Sequence, residues 1–146
     1  MKMLETIPAL PVIDIKSAVS FYHDKFGFSV RHQEIGFAIM QRDLIEIHLW
    51  ASSDELWKSR FRAVLDGSLK VTPEQLDCPV VSGAESFLAG TASCRIRVEG
   101  IDELYAEYKQ TGVLYDSDVV VETTDWGTRE FPTLDLHRNL LTFFGT

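Results

Sequence analysis

The sequence predicts an α+β domain built from two copies of a β-α-β-β-β unit. Three observations carry this prediction. A capped amphipathic helix follows a short extended segment near the N-terminus. Residues 45–50 alternate strictly between aliphatic and polar or aromatic side chains. The apolar register of the first part of the chain returns in the last part, displaced by 86 and then by 94 positions.

The first unit reads in order as follows. Pro8 and Pro11 bracket an extended segment, Leu4 to Val12. Proline donates no hydrogen bond, which confines such a segment to an edge or terminal strand. Asp14 is suited to cap a helix, because its carboxylate can accept from the free N–H groups of the first turn. Ile15, Ala18, Val19, Tyr22 and Phe26 then fall on one helical face, and Gly27 sits where a left-handed closing residue belongs. The helix is predicted over Ile15 to Phe26. Strands are predicted at Phe28 to Glu34 and Phe37 to Gln41, turning around Gly36, and at Leu44 to Trp50. In the last strand Ile45, Ile47 and Leu49 share one face, expected to pack on the helix. Glu46, His48 and Trp50 share the other, expected to line a concavity.

Residues 52–90 are less regular and contain Gly67, Pro73, Pro79 and Gly83, with a short helix predicted over Asp54 to Leu65. A connection this long is usually functional. The second unit then repeats the first. Displacing by 86 places Val12 on Val98, Ile15 on Ile101 and Tyr22 on Tyr108. Displacing by 94 places Phe37 on Phe131, Ile47 on Leu141, His48 on Thr142 and Trp50 on Phe144. The strand at Ser93 to Glu99 should turn Cys94, Ile96 and Val98 inward and Ser93, Arg95 and Arg97 toward the concavity. The second helix should begin at Gly100 or Asp102 and end at Gly112. The expected organisation is therefore one domain over 1–146, with modules at about 1–51 and 91–146 joined by a loop region at 52–90. Neither module can bury its own sheet face alone.

Composition narrows the function classes. With 45% apolar and 25% charged residues, the chain has the ordinary balance of a folded domain. A formal charge of -8 repels phosphate backbones, so nucleic acid is not an expected partner, whereas a cationic ligand would be attracted. No apolar run approaches the roughly 18 residues of a membrane span, and Met1 to Glu5 lacks the regions of a signal peptide, so no membrane association is expected and a cytoplasmic location is. Cys78 and Cys94 are too few for a disulfide framework or a zinc knuckle. Cys94 faces inward and should be an inert thiol. No phosphate-binding glycine loop or nucleophile elbow is present.

Four stretches, IPALPVIDIKSAVSFYHDKFGFSV, GFAIMQRDLIEIHLW, AESFLAGTASCRIRVEGIDELYAEY and DWGTREFPTLDLHRNLLTFF, resemble the glyoxalase/bleomycin-resistance, or vicinal oxygen chelate, superfamily. Within it the bleomycin-binding branch is most similar, through GIDELYAEY and GTASCRI. The resemblance implies the paired β-α-β-β-β fold and a homodimer, often with an exchanged N-terminal strand, which Pro8 would help keep extended. It also implies two crevices at the dimer interface.

In the superfamily's enzymes four metal ligands occupy symmetric positions on the inner strands. Those positions hold Ile7, His48, Ser93 and Thr142 here, and only His48 is a good ligand. No metal, cofactor or catalytic residue is therefore expected, although Glu5 and Glu46 lie close in sequence. The resemblance instead implies binding and sequestration of a bleomycin-type small molecule, metal-loaded or metal-free. Its aromatic rings would be met by His32, Phe37, His48, Trp50 and Trp126. Arg95 stands where some relatives carry an aromatic ring. Asp54, Glu55, Glu122 and Asp125 are acidic groups for the ligand's positive charge. Arg95 and Arg97 could instead pair with Glu46 or Glu99, and Trp57 could cover the pocket or fill a satellite core. The alternatives are a metal-dependent lyase, thiol transferase or dioxygenase, and a binder of another small molecule.

Overall fold

A computed structural model of the chain describes residues 1–52, 66–68 and 88–146. The predicted Asp54 to Leu65 helix, with Asp54, Glu55 and Trp57, and the loop residue Cys78 lie outside the described residues.

Strand β1 (Ala9–Val12) leads into helix α1 (Ile15–Phe26) and strands β2 (Ser29–Glu34), β3 (Phe37–Arg42) and β4 (Ile45–Ala51). After the connection come β5 (Ser93–Arg97), α2 (Ile101–Thr111), β6 (Glu122–Thr123), β7 (Arg129–Leu134) and β8 (Leu140–Gly145). The strands form two four-stranded sheets, ordered β1-β4-β3-β2 and β5-β8-β7-β6. Both are the same β-α-β-β-β arrangement, with one parallel pair at the edge and two antiparallel pairs.

Helix α1 has the predicted bounds for the predicted reasons. The Asp14 carboxylate accepts from the Ser17 N–H at 2.9 Å, and Gly27 closes the helix at φ 75°. The Phe28 N–H reaches back to the Tyr22 carbonyl at 3.0 Å. Gly100, at φ 81°, opens α2 without a side-chain cap, and Asp102 and Glu103 place negative charge at the positive end of its dipole.

The first strand is shorter than expected. It begins at Ala9, not Leu4, although the Pro8 carbonyl already accepts from the His48 N–H at 3.0 Å. Pro8 has no N–H to extend the ladder further.

The internal repeat is visible in the registers. Ala9↔His48, Leu10↔Leu49 and Pro11↔Trp50 become, under displacements of 86 and 94, Arg95↔Thr142, Ile96↔Phe143 and Arg97↔Phe144, and all six pairs occur. The displacement of 94 fails for β3. Phe37 pairs with Trp50, whereas the residue opposite Phe144 is Glu130. The structural equivalent of Phe37 is thus Glu130, and Phe131 corresponds to Ala38. Both Ala38 and Phe131 are fully buried. One residue of offset exchanges the two faces of a strand, so this correction decides which side chain of β7 faces the core and which faces outward.

The helices lie between the sheets. One apolar cluster contains Ala38, Met40, Ile47 and Leu49 from the first sheet, Tyr22, Phe26 and Tyr108 from the helices, and Phe131, Leu141 and Phe143 from the second. The Phe26 and Tyr108 rings meet edge to face at 5.2 Å, and Tyr108 meets Phe143 at 5.1 Å. Polar groups cross the same seam. Tyr108 Oη donates to the Phe26 carbonyl at 2.8 Å, Tyr22 Oη to Asp135 at 2.9 Å, and Asn139 Nδ2 to the Pro11 carbonyl at 2.7 Å. Arg42 Nη2 and Glu107 form an ion pair at 2.8 Å.

Candidate functional site

Because both inner faces are spent on the helix layer, each sheet turns its other face away from the shared core. On the first sheet this outer face carries the predicted aromatic group. Phe37 is its centre: its ring lies 4.6 Å from Trp50, 5.1 Å from His48 at right angles, and 6.1 Å from His32. Strand alternation puts Phe37 and Trp50 directly opposite each other, with Ile39 and His48 as the next such pair.

A charged row runs beside the rings. Glu46 Oε1 accepts from His48 Nε2 at 2.7 Å, and Glu46 Oε2 accepts from Arg31 at 2.8 Å. A carboxylate can only accept, so the His48 proton facing it sits on Nε2, which leaves Nδ1 to face elsewhere. The hydrogen bond from His48, followed by the attraction of Arg31, holds the Glu46 carboxyl below its ordinary value. Arg31 and His32 lie where the β2 register slips between Val30 and His32. A bulge there lets two successive side chains work on one face, a placement simple alternation does not foresee.

The second sheet's outer face differs in kind. Arg95 Nη2 binds Glu130 Oε2 at 2.6 Å, and its guanidinium stands 4.8 Å from the centre of the Phe144 ring. Arg95 therefore pairs with Glu130, not with the Glu46 or Glu99 considered from the sequence. Glu130 is held below its ordinary value chiefly by that hydrogen bond. Glu130 was missed on this face because the 94-residue displacement put Phe131, not Glu130, in the place of Phe37, and Phe144, though matched to Trp50, was given no role beside Arg95. Trp126 sits at the exposed tip between β6 and β7, 71% exposed, and no described ring packs on it.

The six predicted residues thus fall into three groups: His32, Phe37, His48 and Trp50 together, Arg95 on the other sheet, and Trp126 at a loop tip. A cavity of about 740 Å³ opens elsewhere, between the β3–β4 turn and the start of α2, and none of the six lines it.

The aligned metal positions offer no donor set. Ile7 has no ligating atom, Thr142 and Ser93 offer only hydroxyls, and His48 is engaged by Glu46. Among the described residues, no three of His, Cys, Asp and Glu come together as a group able to hold an ion. Cys94 is packed against the core, and burial pushes its thiol up to about 11, which keeps it protonated. No described helix is long and apolar enough to cross a membrane.

Comparison with known proteins agrees with this fold. The sequence profile of the Glyoxalase/Bleomycin resistance protein/Dioxygenase superfamily matches residues 6–141. A bleomycin resistance protein of Geobacillus stearothermophilus is 47% identical over 142 residues, covering 97% of this chain and 96% of the relative. One from Staphylococcus aureus matches with the same identity and coverage. The fold is similar to that of a bleomycin-binding protein crystallised with bleomycin (TM-score 0.64, 21% identity, 99% of each chain). It is also similar to that of the bleomycin-binding protein of the bleomycin-producing Streptomyces verticillus in complex with copper(II)-bleomycin (TM-score 0.67, 23% identity, 100% of this chain and 98% of that one).

Proposed function

The chain belongs to the Glyoxalase/Bleomycin resistance protein/Dioxygenase superfamily, and from that premise we propose that it confers resistance by binding bleomycin-type glycopeptides and sequestering them. The reaction is stoichiometric capture, with no bond made or broken. The observation that carries this reading is the outer face of the first sheet. There Phe37, His48 and Trp50 form a half-buried aromatic surface suited to stacking on flat heteroaromatic rings.

Geometry adds a requirement. The two outer faces point away from one shared core, so one copy alone does not close a crevice between them. A homodimer that sets the first sheet of one copy against the second sheet of its partner would do so, bringing Phe37 and Trp50 across from Arg95 and Trp126. The formal charge of -8 favours entry of a cationic drug. The relatives named bleomycin resistance proteins, at 47% identity over nearly the whole chain, support the same ligand class.

Isothermal titration with metal-free and copper(II)-loaded bleomycin tests the proposal. Saturable binding at micromolar protein, with the drug recovered at unchanged mass, is the expected result. Absence of heat and of tryptophan quenching, or recovery of a chemically altered drug, would overturn it.

A further inference from the structure

We propose that Arg95, held flat by Glu130 and Phe144, is a stacking platform for a planar heteroaromatic ring of the ligand and sets specificity on the second sheet. This deepens the proposed function and rests on it.

The three side chains share one face. Arg95 lies beside Thr142 in the parallel ladder, and Glu130 lies opposite Phe144 in the antiparallel one. Glu130 grips the guanidinium with both oxygens, at 2.6 and 3.3 Å, and is itself fixed by the Thr128 hydroxyl at 3.1 Å. The Phe144 ring lies 4.8 Å from the guanidinium carbon. An edge clamp and a ring contact together restrict a side chain that is otherwise flexible, and a planar guanidinium so held can stack on a second ring. The Arg95 side chain keeps 46% of its surface exposed, so area remains for that ring.

Charge supports the role. The Arg95–Glu130 pair is neutral as a unit and does not repel a cationic ligand as a bare arginine would. The equivalent position on the first sheet is Ala9, and there the platform is Phe37 leaning on Trp50. The repeat has therefore diverged into an aromatic platform on one sheet and a guanidinium–aromatic platform on the other. Glu130 is a positioning residue, since it acts through Arg95.

The test is titration of the wild type, R95A, R95K, R95F, E130Q and the double variant R95F/E130Q with metal-free bleomycin and with copper(II)-bleomycin, with thermal unfolding as a check on the fold. Arg95 and Glu130 lie on the surface of the sheet, outside the core cluster, and all variants should fold. Stacking of this kind predicts about tenfold weaker binding for R95A and R95K, and a loss within about threefold for R95F, which restores a flat group without charge. E130Q should weaken binding in the wild type and do nothing in the R95F background, which separates positioning from general structural support. R95K binding as tightly as the wild type, R95F falling as far as R95A, or E130Q acting equally in both backgrounds would overturn the inference. Wild type that binds neither form overturns the proposed function and this inference with it. Wild type that binds while R95A stays within twofold overturns this inference alone.

Discussion

At Asn139 the carboxamide donates to the Pro11 carbonyl at 2.7 Å and to Asp135 Oδ2 at 2.9 Å, while Asp135 also accepts from Tyr22 Oη. Asn139 is fully buried and Asp135 is 5% exposed. Asn139→Ala would leave a buried carbonyl and a buried carboxylate each short of a donor. Unsatisfied buried groups cost roughly 1–3 kcal/mol each, so the variant should lose about 2–6 kcal/mol. The urea midpoint would fall accordingly, and a loss near zero would show that water fills the site. Nothing local in the sequence marks Asn139 as the tie to Pro11. Phe37 was named through the family resemblance, whereas the outward turn of His48 and Trp50 was legible because strand alternation is local. Arg31 was not, because a bulge breaks the alternation, and Glu130 was not, because its partner Arg95 lies 35 residues away.

Among the elements, α1 and α2 show how much a cap depends on its surroundings. Both end in a left-handed glycine, Gly27 at φ 75° and Gly112 at φ 79°. A Cβ on Gly112 would meet nothing within 4 Å, whereas one on Gly27 would lie 2.8 Å from Arg42 Nη1. That guanidinium cannot swing aside freely, being held by the Phe26 carbonyl and by Glu107. Gly112→Ala should therefore cost only the left-handed backbone penalty, about 1 kcal/mol, and Gly27→Ala about 2 kcal/mol or more. Urea unfolding of the two variants measures the difference, and equal losses would refute the role given to Arg42. The bounds of α1 were readable from Asp14 and Gly27. The register of β7 was not, because Phe131 beside Glu130 fits the apolar pattern at either of two offsets. Packing against Tyr105, Tyr108 and Phe143 selects one.

For the whole molecule, acidity acts on stability through paired carboxylates. Glu46 is held low by His48, Asp102 by Arg129 and Glu130 by Arg95. A folded value below the unfolded one favours the native state above the ordinary carboxylate range, and that contribution disappears as pH falls through the folded value. The melting temperature should fall between about pH 5 and pH 3, and fall less in an Asp102→Asn, Glu130→Gln variant. An identical slope in that variant would show that these pairs do not set the acid limit. Assembly is measurable at the same scale. Sedimentation should give twice the 16.5 kDa chain mass, and a monomer that still binds bleomycin would overturn the two-copy crevice.

The sequence by itself determined the helix with its caps, the inward and outward faces of β4 and β5, the repeated unit and the superfamily. Each depends on spacing within a few residues or on motifs read in order. Only the tertiary structure decided that the helices lie between the sheets, that the two outer faces point apart, that Glu130 and not Phe131 matches Phe37, and that Arg95 is clamped by Glu130 and Phe144. Those outcomes depend on contacts between segments far apart along the chain. A one-residue offset is invisible to the apolar pattern of a strand until the opposing core rings accept one face and reject the other.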